Sequence, residues 1–216
     1  MNVIIIGKGN LGKAFLEYSQ SHFDFVIEDI IDESSQIKEY EKVDAIIDFS
    51  APEAILISIH LALKYDVPLI IGTTSYNKDQ LELIKDYASD LRICKDANFS
   101  IGFHILKTLK TMIDKIDVSH DEYIIETHQK YKKDKPSGSS KVLTQKEDEI
   151  ISLRGGTVNG EHEIRVFFDN EELSLKHSIH SRQAFVDGVI KVIPYLTKAK
   201  NGLYSFDSFR KEIYGF

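Results

Sequence analysis

The sequence predicts an α/β fold: a parallel sheet covered on both faces, followed from about residue 100 by a smaller α+β domain. Three observations carry this reading. Over the first hundred residues short apolar runs alternate with amphipathic stretches, and the runs are apolar on both faces, as in strands with helices on each side. The first run ends in Gly7-Lys8-Gly9-Asn10-Leu11-Gly12, a glycine-rich turn placed between a strand and a helix. After Ser100 the pattern becomes one long helix with adjacent strands, the signature of an α+β arrangement.

Taken in order, Val3 to Ile6 reads as a strand and Leu11 to Ser19 as a helix, with Leu11, Phe15 and Tyr18 on one face. Phe23 to Ile31 is strand-like but interrupted by Glu28 and Asp29. Asp44 to Phe49 is an apolar run closed by Ser-Ala-Pro, and Glu53 to Leu63 is helical. Val67 to Ile71 ends at Gly72-Thr73-Thr74; Lys78 to Ala88 is helical; Leu91 to Cys94 leads into Ala97-Asn98-Phe99-Ser100. In the second part, Ile101 to Ile116 is a long amphipathic helix and Tyr123 to Thr127 a strand. A lysine-rich stretch, Gln129 to Lys141, separates these from two strands, His162 to Phe168 and Glu172 to Ile179, joined by a turn at Asp169-Asn170. The helix Arg182 to Lys198 and the aromatic tail Tyr204-Ser205-Phe206 follow.

With 216 residues the chain can bury a sizeable core without covalent staples. Its one cysteine, Cys94, excludes an internal disulfide framework and a four-cysteine zinc site, and its short apolar strand makes it a buried small hydrophobe. A formal charge of −7 argues against a general nucleic-acid binder. No apolar run approaches the roughly 20 residues that span a bilayer, and Met1 to Gly7 lacks the basic leader and cleavage site of a signal peptide. A cytoplasmic chain with no membrane or nucleic-acid partner is therefore expected.

In the first turn, Gly7 allows the sharp bend, Gly9 lets a pyrophosphate approach the backbone, and Gly12 lets helix and strand pack closely. Lys8, Asn10 and Leu11 complete this cofactor-binding segment, and the helix start offers N–H groups and positive dipole to phosphates. A carboxylate about 20 residues further on should hold the adenosine ribose. Asp32 has that spacing, with Glu28 as a rival. Glu33 follows directly and no arginine stands nearby for a 2′-phosphate, so NADH is favoured over NADPH, although Lys8 or Lys38 would offset the acids. Gly72, Thr73 and Thr74, and Ala97, Asn98, Phe99 and Ser100, lie just past strands, where open sheets bind ligands; a purely structural cap is the competing reading at each.

The segment Glu126 to Ser140 combines His128, a cluster of lysines and a Ser-Gly-Ser turn that can open a helix. Point cations beside a Gly/Ser turn suit a small polyanion; a solvated charged loop is the plain alternative. His104 is expected to pack or cap, and the spacing of His162, His177 and His180 gives no compact triad, so no metal is expected. Tyr123, Phe167, Phe168 and Phe185 are expected in the core.

Glu126, His128, Lys132, Asp134, Pro136, Ser137 and Gly138 match in register the signature E-x-H-H-x-x-K-x-D-x-P-S-G-T. The chain thereby resembles the 4-hydroxy-tetrahydrodipicolinate reductase (dihydrodipicolinate reductase) family of lysine biosynthesis. The resemblance extends to Asp48-Phe49-Ser50, Gly72-Thr73-Thr74, Asn98-Phe99-Ser100, Arg154-Gly155-Gly156 with Gly160-Glu161-His162, and His180-Ser181-Arg182 with Phe185. Three positions depart from the signature: Gln129 replaces its second histidine, Lys130 a residue commonly arginine, and Ser139 its threonine. The chain is also shorter, with the missing residues assigned between Ser140 and Ile151.

The resemblance implies a Rossmann NAD(P)-binding domain from residues 1–100 and 183–216, and an inserted substrate-binding and oligomerisation domain, 101–182, with a mixed open sheet. It implies His128 and Lys132 as the proton-handling pair, Lys132 being the donor and its lysine neighbours pressing on its charge. It places the carboxylates of a small dicarboxylate on Gly138 and Ser139, with Lys130 and Gln129 nearby. Hinges near 98–102 and 180–184, NADH or NADPH as cofactor, and a homo-oligomer, commonly a tetramer, also follow from it. Two other readings stand beside it: another two-domain NAD-dependent dehydrogenase, and a dinucleotide sensor without turnover.

Overall fold

The structure is a computed structural model describing residues 1–32 and 35–215, so Glu33 lies outside the described residues. Two compact units divide the chain: Met1–Phe99 with Phe185–Phe216, and Ser100–Ala184.

In the first unit, β1 (Asn2–Ile6), α1 (Asn10–Ser21), β2 (Val26–Ile31), β3 (Ala45–Asp48), α2 (Ile55–Tyr65), β4 (Leu69–Ile71), α3 (Lys78–Tyr87) and β5 (Arg92–Lys95) alternate strand and helix except between β2 and β3, where no helix intervenes among the described residues. Every strand pair is parallel. Residues 3–6, 45–47 and 69–71 are buried on both faces, each large side chain contributing about 1.5–3 kcal/mol on burial. The apolar runs are strands for this reason: β-branched side chains fill both surfaces of a covered sheet. Glu28 is the extra residue in the β1–β2 register, where Val3 pairs with Ile27 and Ile4 with Asp29. That bulge is the interruption visible in the sequence.

The second unit runs α4 (Ile101–Ile113), β6 (Asp121–His128), α5 (Gly138–Leu143), β7 (Ile150–Arg154), β8 (Glu161–Phe167) and β9 (Glu172–Ser178). Its sheet has the order β7-β6-β8-β9; β6 is parallel to β7 and antiparallel to β8, so the sheet is mixed. Period two along β6 buries Ile124, Glu126 and His128. Ile124 joins Phe103, Leu106, Leu143, Ile164 and Val166 in the core of this unit. The opposite face carries Tyr123, 41% exposed, beside Phe167, with ring centroids 6.2 Å apart. These two aromatics were expected in the core; the alternation of β6 turns them outward instead.

The chain then returns to the first unit through α6 (Gln183–Lys198), β10 (Gly202–Tyr204) and α7 (Phe206–Tyr214). The six-stranded sheet thus has the order β10-β5-β4-β3-β1-β2, with the order reversing at β1. Open α/β sheets bind ligands outside such a reversal. The aromatic tail is therefore a strand and a helix: β10 pairs with β5, and Ser205 caps α7 in a reciprocal arrangement with Ser208. Phe206 and Phe209 of α7 are buried, Phe206 packing edge-on to Phe99 at 5.8 Å.

A Cβ on Gly188 of α6 would stand 1.7 Å from the Phe99 carbonyl oxygen. Gly188→Ala should cost about 3 kcal/mol, because backbone on both sides must move apart. Urea unfolding reads this directly; a midpoint equal to that of the unaltered chain would show that helix and loop are not locked together there.

Candidate functional site

The first unit has a cavity of about 580 Å³ at the β1 reversal, lined among others by Gly7, Lys8, Gly9, Asp32, Phe49 and Ser50. Gly7 takes φ +112°, a conformation for glycine, and its N–H donates to Ile31 O at 2.8 Å. A Cβ on Gly12 would meet the Gly7 carbonyl oxygen at 2.2 Å, so this position needs glycine for close packing. A Cβ on Gly9 would meet nothing within 4 Å, and Gly9 caps α1 without a side-chain hydrogen bond. The start of α1, at Asn10 and Leu11, thus faces open space with its first N–H groups lacking intrahelical partners. An anionic diphosphate fits that arrangement.

Asp32 is part of the cavity wall, ion-paired with Lys8 at 2.8 Å and accepting from Ser35 Oγ at 2.8 Å. Its rival Glu28 accepts from Asn2 Nδ2 near the starts of β1 and β2. Lys38 lies 3.7 Å from Asp29. A donor-ringed carboxylate at the edge of a partly apolar cleft fits the ribose end of a dinucleotide.

The loops after β3 and β4 meet α2 through Asp48, which is fully buried. It accepts from Ser58 Oγ at 2.7 Å, Thr73 Oγ1 at 2.8 Å, Ser50 Oγ at 2.6 Å and Ser50 N at 3.0 Å. The Thr73 hydroxyl is thus committed to the fold, while Thr74 is exposed. Gly72 gives room to the Phe49 ring, whose Cε1 would lie 1.9 Å from an added Cβ. In the next loop Ala97 is exposed, Asn98 N donates to Asp96 at 3.3 Å, and Phe99 is fully buried. Ser100 caps α4 through Phe103 N.

The second unit builds its polar cluster around Glu126, whose side chain is completely buried on β6. Oε1 accepts from Arg154 Nη2 at 2.8 Å and Ser137 N at 3.3 Å. Oε2 lies 2.7 Å from His128 Nδ1, at ion-pair distance although the angle falls short of a well-formed hydrogen bond. Burial opposes the charge, yet His128, Ser152, Ser137 and Arg154 hold this carboxyl well below the usual carboxylate range.

Arg154 Nη2 also donates to the Asp134 carbonyl, and Asp134 Oδ1 is 2.9 Å from Lys132 Nζ. Burial works against the Asp134 charge as well, but Lys132 outweighs it and holds that carboxyl low. Lys132 is thus paired with a carboxylate where the sequence suggested a ring of cations. Ser137 caps α5, accepting from Ser140 N at 3.2 Å, and leaves Gly138, where a Cβ would meet nothing within 4 Å, and half-buried Ser139 at the helix start. Gln129 and Lys130 follow β6 directly; Lys130 Nζ rests 4.7 Å from the centre of the Tyr131 ring.

Sequence reasoning quoted Glu126, Arg154 and His162 without giving them roles. The signal was period two: Glu126 and His128 share a face of β6, and the antiparallel register sets His162 opposite Glu126. One ligand atom from each of these three lies within 4.8 Å of the others, a cluster that the spacing of the histidines did not reveal. Its carboxylate is already engaged by the Arg154 guanidinium, so the cluster is built around an ion pair. His162 is 2% exposed, and burial together with the charge of His128 pushes its pKa down to about 3. His104 is fully buried on α4, and Cys94 is buried in β5 with its thiol pushed up by burial.

A Rossmann-like parallel sheet with an open glycine turn, joined to a mixed sheet bearing a buried carboxylate–histidine cluster, defines the class of nucleotide-dependent two-unit proteins. Residues 1–99 match the family model for the N-terminus of dihydrodipicolinate reductase, and residues 100–209 the model for its C-terminus. The chain is 37% identical over 191 residues to the 4-hydroxy-tetrahydrodipicolinate reductase of Rickettsia bellii, covering 79% of this chain and 76% of that one. It is 32% identical over 237 positions to that of Rickettsia rickettsii, covering 98% and 99%. Among solved structures, a dipicolinate-bound dihydrodipicolinate reductase from Paenisporosarcina sp. TG-14 superposes with a TM-score of 0.72 at 19% identity, over 95% of this chain and 97% of that one. A probable dehydrogenase from Thermotoga maritima shares the fold at a TM-score of 0.63 and 10% identity, over 97% and 92%. The chain belongs to the dihydrodipicolinate reductase family. No helix among the described residues is long and apolar enough to cross a membrane.

The depressed histidines make stability acid-sensitive. His162, and His177 whose pKa burial also lowers, refuse protons that the unfolded chain accepts below about pH 6.5. Stability therefore falls as pH drops below about 6.5, by up to about 1.4 kcal/mol per pH unit for His162 down towards its pKa of about 3, with His177 adding a loss in the same direction. Below about 4.5 the loss steepens, because the unfolded chain also protonates the carboxylate that Glu126 keeps ionised. Urea midpoints between pH 4.5 and 7.5 should slope upward, and His162→Phe should flatten the slope. An unchanged slope in that variant would remove His162 as its source.

Proposed function

We propose that this chain catalyses the NAD(P)H-dependent reduction of 4-hydroxy-tetrahydrodipicolinate to tetrahydrodipicolinate, in diaminopimelate and lysine biosynthesis. The observation that supports this most is the Glu126 network. It ties His128, the Lys132–Asp134 pair and the Gly138 turn together in a chain whose two halves both match the reductase family. In this reading the Rossmann part, 1–100 and 183–216, binds cofactor, and 101–182 binds substrate.

The dinucleotide's diphosphate would rest on the Gly7–Gly12 turn and the start of α1, and its ribose on Asp32. Loss of the 4-hydroxyl with a proton of the neighbouring carbon, as water, leaves an α,β-unsaturated imine, and the nicotinamide, when bound, supplies a hydride for its C4. The protein must then orient the ring and deliver a proton to the neighbouring carbon. Gly138 and Ser139 N–H groups would hold one carboxylate, with Lys130 and Gln129 nearby; Gln129 can hydrogen-bond but carries no charge. Lys132 would give the proton, and His128 would hold or relay it. Asp32, beside Glu33 in the sequence and with no arginine nearby, supports NADH as the preferred cofactor, with Lys8 moderating the preference.

NADH oxidation with freshly generated substrate tests the reading. Turnover should fall about 10²–10⁴-fold in Lys132→Ala and in His128→Ala with NADH binding retained, and kcat/KM should be lower with NADPH. A folded chain that binds NADH yet leaves the dicarboxylate unreduced would favour another substrate or a sensor.

A homo-oligomer, a tetramer by family resemblance, would use the outer face of the mixed sheet. There Tyr123, Ile151 and Leu153 are 41%, 46% and 50% exposed, an apolar surface of the kind that marks contacts between chains. Ile151→Lys combined with Leu153→Lys should lower the mass measured by light scattering to that of a smaller assembly. An unchanged mass would move the contact elsewhere.

A further inference from the structure

We propose that Glu126 is a positioning residue whose buried carboxylate fixes His128 as the Nδ1-protonated tautomer, leaving Nε2 as the atom that exchanges protons. The role in turnover rests on the reductase reading above; the tautomer assignment does not.

The argument starts from what each atom can do. An ionised carboxylate only accepts, and Glu126 Oε2 stands 2.7 Å from His128 Nδ1, at ion-pair distance though off the angle of a well-formed hydrogen bond. A bare nitrogen there would set its lone pair against those of an anion, so the proton resides on Nδ1. Oε1 cannot swing away to release the ring, because Arg154 and the Ser137 N–H both hold it. On the other side of the imidazole, a Cβ at Gly160 would come within 3.3 Å of Nε2, so glycine there keeps a side chain off that nitrogen. His162, whose ring centre is 5.3 Å from that of His128, makes no hydrogen bond with either of its nitrogens and so does not compete for Nε2.

The charges around His128 come from every neighbouring element: Glu126 on β6, Arg154 on β7, neutral His162 on β8, and Lys132 with Asp134 in the loop before α5. Arg154 bridges the Glu126 carboxylate and the Asp134 carbonyl, and Asp134 holds Lys132. One buried carboxylate thus sets the tautomer of the histidine and, through Arg154, anchors the loop that carries the lysine.

The test is long-range ¹⁵N–¹H NMR on the ¹⁵N-histidine-labelled full chain, alongside turnover. Unaltered protein should show His128 protonated at Nδ1; an Nε2-protonated ring overturns the proposal without any variant having to fold. In Glu126→Gln the Arg154 and Ser137 donors claim the amide oxygen, and the amide NH₂ then faces Nδ1. The ring should switch to the Nε2-protonated form, with kcat reduced at least about tenfold and KM changed much less. Glu126→Asp, which keeps the charge, should keep the Nδ1 proton and recover part of the rate. A folded Glu126→Gln variant with unchanged tautomer and unchanged kcat overturns the proposal. A tautomer switch in a protein that never reduces the dicarboxylate supports the positioning role while refuting the reductase reading.

Discussion

A carboxylate that is completely buried must be matched by donors, or the cost of removing it from water would unfold the chain. Glu126 meets that constraint with groups drawn from three places: His128 two residues on, Arg154 on the neighbouring strand, and the Ser137 N–H at the start of α5. Satisfying one charge therefore fixes the end of β6, the pairing of β7, the loop containing Lys132 and the capped turn at Gly138. The residues proposed for proton handling and anion binding lie on the segments that this single charge holds in place.

The first unit shows the same economy with different chemistry. Asp48, at the end of β3, is matched by Ser50, Ser58 and Thr73, so the loops after β3 and β4 are tied to α2 through one acceptor. The glycines beside it serve geometry: Gly7 turns the chain, Gly12 lets α1 approach, and Gly72 admits Phe49. Gly9 faces open space, and it is the position where a phosphate would meet backbone. Rigid loops surrounding one open helix end suit a ligand held mainly by backbone groups.

Much of this was legible in the sequence because it is local. Apolar runs on both faces announced the parallel strands, and the glycine spacing at 7, 9 and 12 announced the turn between β1 and α1. The resemblance carried by Glu126 to Gly138 pointed to the family to which both halves belong. The elements that escaped were short. Gly202 to Tyr204 and Ile150 to Arg154 are three and five residues long, too few for periodicity to separate strand from loop, and they become strands by pairing with β5 and β6. Glu28 and Asp32 were indistinguishable along the chain until the β1–β2 bulge set one beside Asn2 and the other in the cavity wall.

The sequence by itself determined the alternation of strand and helix, the glycine turn, and the residue types available for proton transfer and anion binding, since these depend on neighbours within a few positions. Tertiary structure decided which polar groups meet. His162 lies opposite Glu126 only because β8 runs antiparallel to β6 in that register, and Arg154 reaches Glu126 only because β7 runs parallel to it. Tyr123 and Phe167 point outward because of the face that β6 presents to its core. The physical reason is common to all of them: hydrogen bonds and burial act over a few ångströms in space, and strand pairing sets which distant residues fall within that range.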